Sequence, residues 1–302
     1  MSYIIQTALE LGFLYALVAL ALFLSFRILD IADLTTDGSF ILGAAVSVTM
    51  AEAGHPYLGI AAAFLAGACA GCVTAVLQTA LGVPSILAGI ITNTGLYTIN
   101  LMVMGWSSNI SLLKSETIFT LFMSAGIGGK YAEVILAFAM TALTVIFLFL
   151  FLKTRLGLSI RATGNNMTMV RASSINPARM IIIGLCIANG ITALSGAMVG
   201  QYQSAADING GTGIVVIGLA CLIIGETVLG RRTVLKGVIA AVVGSVIYRL
   251  IYAIVLYTNI VPVQGLKLIT AIVVAIAIAF PTMKNQVQLQ KRKLEAVRKG
   301  GK

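Results

Sequence analysis

Charge is what this sequence has least of. Asp, Glu, Lys and Arg make up 10% of its 302 residues, against 59% hydrophobic ones. A soluble domain is nearer a quarter charged and half apolar, so there is too little polar surface here to coat a water-soluble globule. Acids are scarcer than bases, with 10 against 20 and a net charge of +10. In a soluble chain that surplus would raise nucleic acid as a partner. Here the bases collect in loops and at the C-terminal end, and no nucleic acid is expected. The single histidine, His55, precedes Pro56 in a turn. One imidazole with no Cys or carboxylate cluster makes neither a metal site nor a Ser-His-Asp set. Cysteine is confined to Cys69, Cys72, Cys186 and Cys221, each inside an apolar run. Cys69 and Cys72 have CxxC spacing, but redox or zinc chemistry needs polar access and further ligands, so they read as small packing residues. A phosphate loop is missing too. The stretch Gly126 to Tyr131 lacks a first glycine at the right distance and has Tyr131 where Ser or Thr must bind magnesium. No catalysis, metal or cofactor is expected in this chain.

What is present is apolar length. Mean hydropathy is +1.02, and runs of about 20 residues, enough for a helix to span a bilayer core, recur along the chain. The candidate spans are 4–26, 38–52, 57–81, 86–104, 133–152, 179–200, 213–229, 236–257 and 265–281. Pro56, Pro84, Pro177, Pro262 and Pro281 all fall at their ends, where proline is tolerated. No Lys or Arg precedes the first run, which is expected to be a retained helix rather than a signal peptide. The stretch 105–132 is more polar and has room for a short surface helix. Two regions are expected: a transmembrane domain over 1–283, with a polar loop at 153–178, and a basic tail over 284–302.

Orientation follows from Lys and Arg in short loops. The segment 153–179 holds Lys153, Arg155, Arg161, Arg171 and Arg179; the 230–236 loop holds Arg231, Arg232 and Lys236. The tail adds Lys284 and six more bases after it. Alternating the spans puts these regions on one face, which must be cytoplasmic, and leaves Lys114, Lys130 and Lys267 on the other. The C-terminus is then cytoplasmic and the N-terminus extracytoplasmic. The tail reads as a solvated anchor, with contact to anionic membrane lipid as the sharper alternative.

Small residues give two further signals. Gly67 with Gly71, and Gly196 with Gly200, are GxxxG pairs that let helices approach closely. Ala32-Asp33 followed by Gly38 and Gly43 is echoed by Ala206-Asp207 followed by Gly213 and Gly218. The two segments start on opposite faces in this topology, the signature of an inverted repeat. The fold class is therefore all-α integral membrane, a polytopic bundle of about 8–10 transmembrane helices.

Polar residues inside spans are functional candidates. Asn93, Tyr97 and Asn100 share one face of the fourth span at i, i+4, i+7 and could line a path or join helices. Asp37 stands where a helix begins, as an N-cap or as a gate at a broken helix. Glu226 lies near the cytoplasmic end of the seventh span. Arg249 lies well inside the eighth between Tyr248 and Tyr252, either in the path or snorkelling outward. These six form the candidate translocation path.

The loop 153–179 carries the most information. Asn165 or Asn166 can cap a short helix, Asn176-Pro177 would stop it, and Met167, Val170 and Ser174 share a face. Such a helix could rest on headgroups or dock into a partner's groove. Arg161-Ala-Thr-Gly-Asn-Asn166 followed by Arg171-Ala-Ser-Ser-Ile-Asn176 resembles the coupling region of permeases in the branched-chain amino acid and ribose group of ABC importers. Asp30-Ile-Ala-Asp-Leu-Thr-Thr-Asp-Gly-Ser39 is similar to that family's early segment. It looks closest to the branch paired with binding proteins for tryptophan or related solutes. Gly210 to Gly225, with Leu229-Gly230 after it, resembles the late glycine-rich span. The likeness runs in order from about residue 10 to 282. Two departures stand out: the family often has glycine where Ser174 stands, and many members have glycine where Glu226 stands.

The resemblance implies a type II-like ABC importer permease, a non-catalytic subunit of the bacterial inner or plasma membrane. It would pair with a second copy of itself and with two cytoplasmic ATPase subunits, which hold the ATP and magnesium. An extracytoplasmic binding protein would deliver the solute, an amino acid and in this branch an aromatic one. Coupling to the ATPase would fall on Asn165, Asn166, Met167, Val170, Arg171, Ser174, Asn176 and Pro177. A sugar or nucleoside permease of the same family is the second reading. A stand-alone ion-coupled transporter is the third; it needs mid-span carboxylates, and by sequence those are Glu226 and Glu10.

Overall fold

A computed structural model describes residues 2–258, apart from 113, 114, 125, 127, 128, 231 and 232, together with 271, 272, 275 and 279. Most of the expected span 265–281, the tail 284–302, Pro262, Pro281, Lys114, Lys267, Arg231 and Arg232 lie outside the described residues. Among the described residues, six helices are long and apolar enough to cross a membrane.

The first helix, α1 (Ser2–Leu22), widens into a π-helical turn at Phe23–Ile28. An irregular stretch leads to α2 (Thr36–Glu52), then α3 (Pro56–Thr79) and α4 (Ser85–Val103). A polar connection holds β1 (Asn109–Ser111) and the short α5 (Ile118–Ser124) where a surface helix was expected. The chain continues through α6 (Ala132–Lys153), α7 (Arg155–Asn165), α8 (Met167–Ala172) and α9 (Pro177–Gln203). After β2 (Ala205–Asp207), which pairs antiparallel with β1, come α10 (Ile214–Leu229) and α11 (Val234–Thr258). The eight expected spans within this range each coincide with a helix. Pro56 and Pro177 sit in the first turn of their helices and Pro84 just ahead of α4, where the missing N–H costs nothing.

The core is central, not peripheral. The most apolar stretches of α1 and α9 are 78% and 72% buried, whereas that of α6 is 22% buried. An apolar helix left that bare needs lipid around it. Both GxxxG pairs mediate close packing. Gly67 and Gly71 of α3 lie against the backbone of Asn189 and Leu185 on α9. Gly196 and Gly200 of α9 lie against Phe40 and Ala44 of α2. A side chain at Gly67, Gly71 or Gly196 would push the helices apart, and the small stripe is what lets α2, α3 and α9 interlock.

The irregular stretch 29–35 dips into the bundle. Asp30 takes a left-handed conformation, φ 56°, and turns the chain back after the π-helical turn. Leu29 packs on Gly184, near the start of α9. Asp33 is bonded to Asn189, halfway along it. Non-helical backbone survives at that depth because it is buried in protein. The second half of α2 then runs beside that of α9, with Ser47 bonded to Gln201. The chain therefore climbs to mid-membrane unwound and leaves it as a helix.

Candidate translocation cavity and coupling surface

α10 starts without a cap of its own. Its N-cap position is Gly213, at φ 87° and with no side chain to offer. The orphan N–H groups of its first turn are met instead by Asp37, from the first turn of α2. Its Oδ2 accepts the Gly213 N–H at 3.0 Å and its Oδ1 the Val215 N–H at 2.9 Å. Two helix N-termini thus meet at one carboxylate, an arrangement the two dipoles favour. Gly211 makes the approach feasible, because a Cβ there would stand 2.5 Å from the Asp37 carbonyl oxygen.

α4 faces this junction through Asn93, Tyr97 and Asn100. Asn100 is fully buried and donates through Nδ2 to the Gly38 carbonyl at 3.2 Å; its Oδ1 has no partner among the described residues. Asp37, Asn93, Tyr97, Asn100, Asn209 and Thr212 line one cavity of about 330 Å³. Tyr97 is 50% exposed. The structure therefore brings together four of the six expected path residues. The other two lie apart. Glu226 forms an ion pair with Arg27, whose Nε donates to its Oε1 at 2.7 Å and whose Nη2 reaches its Oε2. Arg249 lies with its guanidinium 3.7 Å over the Tyr15 ring and 5.7 Å from that of Tyr252. It lines an apolar groove between α1 and α11. Neither residue reaches the Asp37 cavity, so their grouping with it is corrected.

The loop 153–179 is two helices, not one. Thr154 caps α7, which buries Gly157, Ile160 and Thr163. Asn165 closes α7, and Asn166 breaks the helix and caps α8, accepting from the N–H groups of Thr168 and Met169 at 3.0 and 3.1 Å. Asn176 does not stop a helix; it starts α9, accepting from the Ala178 N–H at 3.0 Å, with Pro177 in the first turn. The face expected to join Met167, Val170 and Ser174 is also revised. Met167, Met169 and Arg171 are exposed while Val170 is buried, so Val170 anchors α8 and its neighbours form the outer surface. Ser174 lies beyond the helix at φ 60°. That conformation suits glycine, which accounts for the residue expected there in the family.

A second polar cluster escaped the path assignment. Asp33 is 1% exposed, and its Oδ2 accepts from Asn189 Nδ2 at 2.6 Å and its Oδ1 from the Thr35 N–H at 2.9 Å. Asn189 accepts in turn from the Ser39 hydroxyl at 2.7 Å. Thr35 and Thr74 hydroxyls meet at 2.7 Å. Lone polar residues such as Asn189 and Gln201 within the 27-residue α9 were the available signal. Mid-membrane carboxylates are thus Asp33 and Asp37 rather than Glu226 and Glu10. Glu10 lies toward the far end of α9, accepting from the Tyr202 hydroxyl at 2.7 Å.

Half-helices meeting inside an apolar bundle, with a polar cavity at their junction, define a membrane transport subunit. The chain belongs to the family described as branched-chain amino acid transport system / permease component, which matches residues 4–283. It is therefore a non-catalytic, multi-pass permease component of an amino acid transport system. Among its relatives is the tyrosine transport system permease protein of Clostridioides difficile (strain R20291). The two are 35% identical over 286 residues, 94% of this chain and 92% of the relative. An uncharacterized protein of Rickettsia prowazekii (strain Madrid E) is 32% identical over 281 residues, covering 91% and 97%. No solved structure shows a significant match.

Proposed function

We propose that this chain is the translocating subunit of an ATP-driven importer for an amino acid of the aromatic class. The observation that carries the reading is the polar cavity at Asp37. It opens on an otherwise apolar surface at α4, and polar groups at membrane depth avoid lipid. A second copy of the chain shields it, so the solute path runs between two protomers past Asp37, Asn93, Tyr97 and Asn100. The exposed surface of α8, Met167, Met169 and Arg171, with Asn165, Asn166 and Ser174 beside it, docks into a groove of the ATPase partner. Val170, Asn176 and Pro177 hold that surface in place. ATP and magnesium belong to the two ATPase subunits, and a binding protein on the opposite face delivers the solute. The Lys and Arg bias of the α6–α9 connection sets that end in the cytoplasm of the bacterial cell and the N-terminus outside. The tyrosine system of the clostridial relative supports the aromatic class.

The test is uptake of labelled L-tyrosine into proteoliposomes holding this chain, its ATPase and its binding protein. ATP-dependent uptake, competed by tryptophan but not by leucine or ribose, is expected. A Met169→Asp, Arg171→Asp double variant is expected to lose ATPase assembly and uptake together. Uptake driven by a proton or sodium gradient without the ATPase would sink the importer reading.

A further inference from the structure

We propose that the chain carries a phosphate-binding site at the end of the bundle that bears α7, occupied by the headgroup phosphate of an anionic phospholipid. The site is a cavity of about 360 Å³ between the π-helical turn, α7, α10 and the start of α11, lined by Arg27, Arg161, Asn165, Glu226, Thr233 and Val234. Among the described residues, its lining carries two guanidinium groups and one carboxylate. Glu226, with a side chain 10% exposed, is neutralised by Arg27, and that pair leaves other Arg27 N–H groups without an acceptor among the described residues. The Arg161 side chain is half-buried and makes no ion pair or hydrogen bond to any described residue. A guanidinium held in a cavity without an acceptor calls for an anion, and its planar fork fits a phosphate in two-point fashion.

A second feature converges on the same space. The first turn of the 25-residue α11 lines it through Val234 and Gly237. Thr233 accepts the Lys236 N–H at 3.3 Å, which leaves the earlier N–H groups of that turn and the Thr233 hydroxyl proton without a partner among the described residues. A helix N-terminus attracts an anion through those groups and its dipole. Phe23 and Ile28 complete the wall on the apolar side, as a glycerophosphate with its acyl chains in the bilayer requires. The bound phosphate would tie α7, which leads directly into α8, to α1 and α11.

The site is independent of the solute carried. The experiment uses the full chain in phosphatidylcholine nanodiscs, with the melting temperature followed as phosphatidylglycerol is added and, separately, inorganic phosphate. Saturable stabilisation by phosphatidylglycerol is expected. Binding to R161Q is expected to be roughly tenfold weaker, the loss of one charged hydrogen-bonding partner. Stabilisation by inorganic phosphate at similar concentrations, equally lost in R161Q, would keep the site and overturn the lipid as its source. An R161Q protein that responds to both titrants like wild type would overturn the site itself. Should R161Q fail to fold, R161K, which keeps the charge and loses the fork, is read instead. Weaker binding supports the proposal and unchanged binding overturns it.

Discussion

Two stretches of the chain begin alike and end differently. Ala32-Asp33 and Ala206-Asp207 each form the same turn, the carboxylate accepting the N–H two residues on: Thr35 at 2.9 Å, Asn209 at 2.8 Å. Each is followed by a helix, α2 or α10, and those helices run in opposite directions. Ser47 of α2 pairs with Gln201 near the far end of α9, whereas Glu226 of α10 pairs with Arg27 at the near end. The turn is thus used once from each face, as an inverted repeat uses its parts. The contrast lies in the surroundings. Asp33 is buried and bonded to Asn189 and the Thr35 N–H, while Asp207 is exposed in β2. One copy of the motif is a buried strut, and the other leads through Asn209 and Thr212 into the wall of the cavity.

The largest expected effect tests the sealed copy. Asn189→Ala removes the amide that bonds Asp33 and receives Ser39, leaving a buried carboxylate short of a donor. A loss of about 3 kcal/mol is expected, read as a lower midpoint in thermal or denaturant unfolding of the detergent-solubilised protein. An unchanged midpoint would show that the strut bears no load.

Next comes the junction where the two copies meet. Asp37→Ala leaves the Gly213 and Val215 N–H groups without their acceptor and removes a charge from two helix N-termini. About 2 kcal/mol of stability should go, and uptake should fall further than that loss explains. Asp37→Asn, which keeps one acceptor oxygen, should recover part of the stability. If both variants transport like wild type, the cavity does not lie on the path.

The closed ends of α1 and α10 give a smaller effect. Arg27→Gln leaves Glu226 largely buried without its cation. Because Arg27 is 39% exposed, water screens the pair and about 1 kcal/mol is expected. The exchange Arg27→Glu with Glu226→Arg should restore most of it. Additive losses instead would show the pairing to be incidental.

How much of this was legible in the residues depends on periodicity. The span ends at Pro56, Pro84 and Pro177, the GxxxG contacts and the polar stripe Asn93–Tyr97–Asn100 are local patterns, and each landed where its spacing placed it. Asn166 as a cap was legible for the same reason. The break between α7 and α8 was not, because Met167 to Ala172 continues a helical pattern until the Asn166 side chain takes the N–H groups of the next turn. Pairings such as Arg27 with Glu226 and Asp33 with Asn189 were hidden, since they join residues more than 150 positions apart. No rule of spacing reaches that far; they follow from how the helices stack. The same holds for Arg249, whose depth was legible and whose tyrosine partner on α1 was not.

The smallest effect is the sharpest check on the two turns. Asp207→Ala removes the same backbone hydrogen bond as its counterpart at Asp33, but in water. The freed Asn209 N–H can be solvated there, and the β1–β2 pairing of Asn109 with Asp207 uses main-chain groups that the substitution keeps. About 0.5 kcal/mol is expected, with Asp33→Ala costing several times more in the same unfolding assay. A difference of that size would assign the cost to burial rather than to the turn. Equal costs would mean that the exposed turn also holds α10 in place, and the distinction between strut and wall would fail.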